Sequence, residues 1–300
     1  MKHWFCLVAV LSATACGSDS GGSDAASTGD SAVAGQCQGK CSFTGVVVDF
    51  KSKSPKEGVD VLVLNNDTGE ALDLVRWPAF KSGQGGAVAL DFPPEMPLVA
   101  FKLWGASGNM KFKESYQFNI KSTEQGKRLY AVWEGTYMAA MSSAAIKDVD
   151  PAHLGHFAGT IYFTNAQGED EYVGCVVVAV FDESGKKLEE EKDANGYGVK
   201  YAIRYFDTRT DMPTNLKTAD GNEWTMTHTL NSRYMVGGVP PGKYRVAAHL
   251  RGQPDKVLGE VWLRPFPGSI SIGNIYVSAG PDGKNPTPTD PDCYGIKDQL

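Results

Sequence analysis

The chain has 300 residues, 42% of them hydrophobic, and a net charge of -6 at neutral pH with acidic and basic residues interspersed. That length fits one large domain or two ordinary ones, each able to bury its own core. No basic stripe is present to neutralise a phosphate backbone, which argues against nucleic acid as a partner.

Met1-Lys2-His3 supplies a short positive region, Trp4 to Leu11 an apolar core and Ser12-Ala13-Thr14-Ala15 a run of small residues, so residues 1–15 read as an export signal. The apolar core is too short to remain as a spanning helix. Ala13-Thr14-Ala15-Cys16 resembles the lipobox of bacterial lipoproteins. This resemblance implies that Cys16 is acylated and becomes the first residue; an ordinary secretory signal cut after Ala15 is the alternative. Gly17 to Gly35 is almost entirely Gly, Ser, Ala, Asp and Thr, which makes 16–36 a solvated tether between anchor and folded body.

Export puts the remaining cysteines, Cys37, Cys41, Cys175 and Cys293, in an oxidising compartment, where four suggest two disulfides in one of three connectivities. We favour Cys37 with Cys41 and Cys175 with Cys293. A lone Cys-x3-Cys without a second ligand pair is a poor metal site.

Short apolar runs between turn signals follow, rich in Val, Ile, Tyr and Phe, as in a β-sandwich. Strands are expected at Phe43 to Phe50, Val59 to Leu64, Ala87 to Phe92, Leu98 to Trp104 and Tyr116 to Ile120. Tyr137 to Lys147, rich in Ala, Met and Ser without Gly or Pro, is expected to be a helix that links or packs and ends before Asp150-Pro151. Strands resume at Gly159 to Phe163, Tyr172 to Phe181, Tyr244 to Leu250, Val257 to Leu263 and Ile270 to Val277. Apolar residues alternate at Val199, Tyr201, Ile203 and Tyr205, and again at Trp224, Met226, His228 and Leu230, which predicts two more half-buried strands.

The chain also repeats itself. Gly58 to Val63 with Gly69 matches Gly174 to Ala179 with Gly185, and Phe92-Pro93-Pro94 through Val99, Leu103 and Gly105 matches Val239-Pro240-Pro241 through Val246, Leu250 and Gly252. Matched blocks in the same order imply two copies of one fold, the second carrying an insertion between Gly185 and Val239. The expected domains are 37–136 and 158–280, joined by a linker with the helix over 137–157 and followed by an extended tail over 281–300.

Gly238-Val239-Pro240-Pro241-Gly242-Lys243-Tyr244-Arg245-Val246 resembles the most recognisable segment of carboxypeptidase regulatory-like domains, which are transthyretin-type β-sandwiches. The resemblance implies an all-β chain of two tandem transthyretin-like sandwiches with a short connecting helix. In that family the module is generally non-catalytic.

Catalytic and metal motifs are weak. Gly237-x4-Gly242-Lys243 has the spacing of a phosphate loop but is followed by Tyr244 and joins strand to strand. His153 and His156 lack a matching carboxylate and are expected as a surface pair; His228 is expected in the core and His249 in solvent. No zinc-peptidase or Gly-x-Ser-x-Gly spacing occurs, and the acidic run Leu188 to Asp193 lacks the ligand pattern of a calcium loop.

The sequence therefore points to a lipid-anchored, exported, non-catalytic interaction or structural module at the bacterial cell envelope, without cofactor or metal. It would sit at the outer membrane or periplasmic face and meet an envelope protein or glycan. The alternative is a carbohydrate- or peptide-binding lipoprotein serving an enzyme or transporter. Alternation turns Lys200, Ala202 and Arg204 outward on one strand and Thr225, Thr227 and Thr229 outward on another; if the two strands neighbour each other, Lys200 and Arg204 are the candidate binding residues of a cationic, hydroxyl-rich patch. A row of Trp or Tyr on one sheet face would instead favour glycan stacking.

Overall fold

The computed structural model describes residues 39–145, 152–190, 201–214, 226–280 and 282–287. The export signal, Cys16, the tether, Cys37, Lys147, Lys200, Trp224, Thr225, Cys293 and the end of the tail lie outside them. The chain is all-β, with one α-helix among the described residues. Its first half forms β1 (Cys41–Asp49), β2 (Asp60–Asn65), β3 (Phe80–Lys81), β4 (Ala87–Phe92), β5 (Leu98–Ser107), β6 (Met110–Lys121) and β7 (Lys127–Trp133), then α1 (Glu134–Ser143). The second half adds β8 (Gly155–Thr164), β9 (Asp170–Tyr172), β10 (Val176–Asp182), β11 (Ala202–Phe206), β12 (Pro213–Thr214), β13 (Arg233–Val239), β14 (Tyr244–Leu250), β15 (Val257–Leu263), β16 (Ile270–Ile272) and β17 (Ile275–Tyr276).

One pairing pattern occurs in both halves. In copy one β1 is antiparallel to β4 and parallel to β7, while β5 lies between β2 and β6. In copy two β8 is antiparallel to β13 and parallel to β17, while β14 lies between β10 and β15. Each Pro-Pro segment carries the chain from one of these layers to the other. The prolines cannot donate to a ladder, so β4 and β13 stop where they begin, and β5 and β14 start afresh in the opposite layer.

Alternation then fills each sandwich. Val59, Val61, Val63, Val99, Phe101 and Leu103 point into the core of copy one, and Val176, Val178, Val180, Val246, Ala248 and Leu250 into that of copy two. The later sequence match keeps this register. The earlier one slips by one residue, because the left-handed position before the strand is Gly58 in copy one, with φ 77°, and Cys175 in copy two, with φ 61°. The slip matters because a one-residue shift exchanges the two faces of a strand.

The copies are not separate bodies on a linker. β16 runs parallel to β6 of copy one and to β8 of copy two at once, pairing Ile270 with Ser115 and with His156, so a continuous sheet crosses from one copy to the other. A further apolar cluster fills the joint. It gathers Val48, Phe50, Tyr130 and Val132 of copy one, Ala158 and Met235 of copy two, Ile270 and Ile272 of β16, and Tyr137, Ala140 and Met141 of α1. The helix thus starts earlier than its composition suggests and works as packing between the copies.

Other expectations need adjusting. The expected strand over Ile270 to Val277 breaks at Gly273-Asn274 into β16 and β17, which serve different neighbours. Tyr172 to Phe181 divides into β9 and β10 around Gly174 and Cys175. Of the strand expected at Trp224 to Leu230, the described part is instead a turn closed by a bridge from His228 to Asn231. The insertion contributes β11 and β12, which extend the sheet edge beyond β13.

Candidate functional site

The outer face of copy two carries a straight rank of three tyrosines. Tyr162 on β8 lies directly opposite Tyr172 on β9 and directly opposite Tyr276 on β17. Ring centroids are 5.8 Å apart for Tyr162 and Tyr172 and 5.6 Å for Tyr162 and Tyr276, with planes inclined by 29° and 27°. The rank arises because Ile161 and Phe163, the neighbours of Tyr162 on β8, and Ile275 and Val277, which flank Tyr276, point into the core. All three tyrosines remain partly exposed. Burial, then the nearby Tyr130, pushes the Tyr162 phenol well above its ordinary range, so its hydroxyl stays protonated.

Copy one supplies the other side of the site. In it the rank equivalent to Tyr162 and Tyr276 is Val48 opposite Tyr130, and both are buried in the joint. The Lys53 ammonium lies over the Tyr130 ring at 4.6 Å and the Phe50 ring at 4.7 Å and donates to the Phe50 carbonyl at 2.6 Å. Its pKa falls to about 7, first through burial and then through Arg233, against the opposing pull of Asp211.

Arg233 on β13 pairs with Asp211, which also accepts from Asn231 Nδ2 at 2.9 Å. The buried Arg233 Nε has no hydrogen-bond partner among the described residues. Burial works against the Arg233 charge, but Asp211 outweighs it and holds the guanidinium above its ordinary value. Beneath Arg233 a small apolar cavity opens into the joint, lined by Phe50, Val132, Tyr137, Phe206 and Met235.

The binding residues expected from sequence do not assemble. Arg204 is only 5% exposed: its Nε donates to the Ala144 carbonyl at 2.9 Å, just past the end of α1, and its guanidinium pairs with Glu190. Ala202 beside it is buried in the joint. Thr227 points inward as well, donating to the Val173 carbonyl at 2.8 Å and accepting from Val176 N–H at 3.1 Å. The outward cationic face fails because this side of β11 is covered by the joint, which strand alternation alone does not reveal.

The histidines are also redistributed. His153 is exposed, but His156 is fully buried, with Nε2 2.9 Å from the Tyr137 hydroxyl and Nδ1 accepting from Gly238 N–H at 3.3 Å, so the two form no surface pair. His249 is 7% exposed rather than solvated, and burial followed by the charge of Arg245 lowers its pKa. His228 sits half-buried in a turn, where Nδ1 accepts from Leu230 N–H at 3.0 Å.

The tryptophans make no row among the described residues. Trp77 is in the core of copy one, whereas Trp133 and Trp262 are exposed on strands of different copies. Cys41 and Cys175 are both buried.

Tyr162, Tyr172, Tyr276 and Lys53 escape a reading from sequence alone. The only local signal is that Tyr162 stands between two core residues of a strand that is apolar on both faces. Tyr162 and Tyr172 meet across the hairpin between β8 and β9, whereas Tyr276 and Lys53 come from distant segments.

No family model and no curated protein matches the chain. Among solved structures, the shaft pilin SpaA of Lactobacillus rhamnosus GG aligns over 81% of this chain and 99% of its own, at 10% identity and a TM-score of 0.25. The minor pilin GBS52 of Streptococcus agalactiae aligns over 80% of this chain and 98% of its own, at 12% identity and a TM-score of 0.24. The TIE protein of Bacillus anthracis aligns over 80% of this chain at 10% identity and a TM-score of 0.24, and this chain spans only 34% of its length. Likeness at these TM-scores carries no weight for the site, whose features rest on the chain's own geometry.

Proposed function

We propose that this chain is an exported, lipid-anchored protein that acts as a non-catalytic interaction or structural module at the outer membrane or periplasmic face of a bacterial envelope. The observation that carries this reading is β16, which pairs with both copies and joins them in one sheet. A duplicated module joined through a shared sheet suits a device that spaces or presents a surface. The signal, Cys16 and the Gly- and Ser-rich tether of the sequence support attachment of that body to a membrane. The Pro-Pro turn between β13 and β14, crossing from one layer to the other, supports reading each copy as a carboxypeptidase regulatory-like, transthyretin-type sandwich.

Intact-mass analysis of protein extracted from membranes tests the anchor, with the expected result an acylated Cys16 at the N-terminus. Non-reducing peptide mapping of the same sample is expected to yield disulfides Cys37 to Cys41 and Cys175 to Cys293. A soluble periplasmic protein beginning after Ala15 with an unmodified thiol overturns the anchored reading.

A further inference from the structure

We propose that β4 of copy one is a pairing edge for a second copy of this chain, the two β4 strands joining antiparallel about a two-fold axis at Leu90. The inference goes beyond the envelope-module reading and does not depend on it. Copy two shows that this edge accepts a strand. The equivalent strand there, β13, is antiparallel to β8 on one side and to β11 on the other, with Ile203 opposite Val236 and Ala202 opposite Gly237. The sequence match that places Phe92 on Val239 puts Ala89 and Leu90 at those two positions of β13. Copy one lacks the insertion that supplies β11, and among the described residues β4 pairs with β1 alone.

The open groups on this edge follow from the register. Thr44 lies opposite Ala89, but its N–H bonds to the Glu124 carbonyl on the β7 side, so these two residues exchange no bonds. Ala89 therefore turns its N–H and C=O away from β1, and so does Asp91 two residues on. Neither backbone has a partner among the described residues. Ala87 faces the same way but is already closed, its N–H donating to the Gln84 carbonyl and its own carbonyl accepting from Gly83 N–H at 2.9 Å. Beyond Phe92, Pro93 and Pro94 have no N–H to offer. What remains is a short gap with two donors and two acceptors, on Ala89 and Asp91.

That gap is complementary to itself. With Leu90 opposite its own counterpart, Ala89 faces Asp91 of the second copy, and each such pair exchanges two bonds, so every open group on both strands is used. A second copy brings this match by symmetry, which is what selects it as the occupant. The side chains agree. Asp91, the one charged residue of β4, is held by Lys40 at 3.8 Å and by the Ser42 hydroxyl at 2.9 Å, and it comes opposite Ala89, so no like charges meet. Half-buried Leu90 meets Leu90 on the core-facing side of the strand. The edge carries no lysine, bulge or internal proline to prevent pairing. At its end Trp77 stacks on Phe92, and the loop before Trp77 holds out Leu74 and Val75, 58% and 92% exposed, as further apolar surface.

The test is sedimentation velocity of the full chain in density-matched detergent, together with cysteine capture. Wild-type protein is expected to show a concentration-dependent species of twice the protomer mass. Ala89→Pro removes an N–H that bonds to nothing within the protomer and suits an extended edge, so it is expected to abolish that species with an unchanged circular dichroism spectrum. On mild oxidation Leu90→Cys is expected to be captured as a disulfide-linked dimer, since facing Cα atoms in such a pair lie roughly 4.5 Å apart. Ala87→Cys, roughly 20 Å from its counterpart at the rise of a strand, is expected to be captured no more than wild type.

A chain that stays monomeric at every concentration, or a dimer that survives Ala89→Pro, overturns the proposal. Equal capture of Leu90→Cys and Ala87→Cys overturns it as well, because the strands then do not meet in this register. Should Ala89→Pro alter the spectrum, the two cysteine variants decide alone. Each outcome is independent of whether Cys16 is acylated, so failure here is distinct from failure of the anchored-module reading.

Discussion

Phe266 stacks on Tyr116 with ring centroids 4.2 Å apart and planes inclined by 22°, although Tyr116 belongs to β6 of copy one and Phe266 to the segment leading into β16. Phe118 lies on the same face at 6.3 Å from Phe266. The contact works as a clasp between β6 and the segment leading into β16, which pairs with β6 on one side and β8 on the other.

The clasp has a measurable weight. Phe266→Ala is expected to lower the unfolding free energy by about 2 kcal/mol, from lost burial and ring contact. Gly69 lies against the same ring: its φ is 75°, and a Cβ there falls 2.6 Å from Phe266 Cζ. Gly69→Ala is therefore expected to cost about 1–2 kcal/mol. Urea unfolding of both variants checks this, and changes below about 0.5 kcal/mol for both would remove the clasp from the account.

Arg204 is expected to matter for stability and not for ligand binding. It ties the end of α1 to β11 through the Ala144 carbonyl and neutralises Glu190. Arg204→Ala leaves that carbonyl without the guanidinium and opens space in the joint, which is expected to cost about 3 kcal/mol. Denaturant titration decides. A loss below about 1 kcal/mol would show that the guanidinium is not needed to close the joint.

Lys53 gives the fold a pH dependence of definite sign. Its folded pKa of about 7 lies below the ordinary 10.5, so between these values the unfolded chain binds more protons and stability rises with pH. The cost of the buried ammonium is fully present below pH 7. Lys53→Met is expected to be more stable than wild type near neutrality and to flatten the rise measured from about pH 6.5 to 9.5, below the range where tyrosines ionise. Parallel slopes for the two proteins would show that the amine is solvated in the folded state.

Much of each sandwich is legible in the chain. Ala87 to Phe92, Tyr244 to Leu250 and Val257 to Leu263 form strands with the bounds their sequence patterns predict. The Pro-Pro segments mark where each copy changes layer, because a residue without an N–H ends a ladder wherever it is placed. Internal repetition likewise announces two copies of one pairing pattern. These features are local or self-referential, so composition and spacing carry them.

What only the tertiary structure decided is how the copies meet, and therefore where a site lies. Ile270 to Ile272 is an ordinary apolar run until it lies between β6 and β8, strands far from it and from each other in sequence. That placement buries Arg204 and Ala202, which alternation alone would turn to solvent, and seats Lys53 over Tyr130, where burial strips its proton near neutrality. Tyr172 joins Tyr162 across the short hairpin between β8 and β9, but Tyr276 joins the rank only because β17, from near the far end of the chain, pairs with β8. A strand's pattern states which residues share a face, but the elements packed beside it determine whether that face is core, joint or open surface.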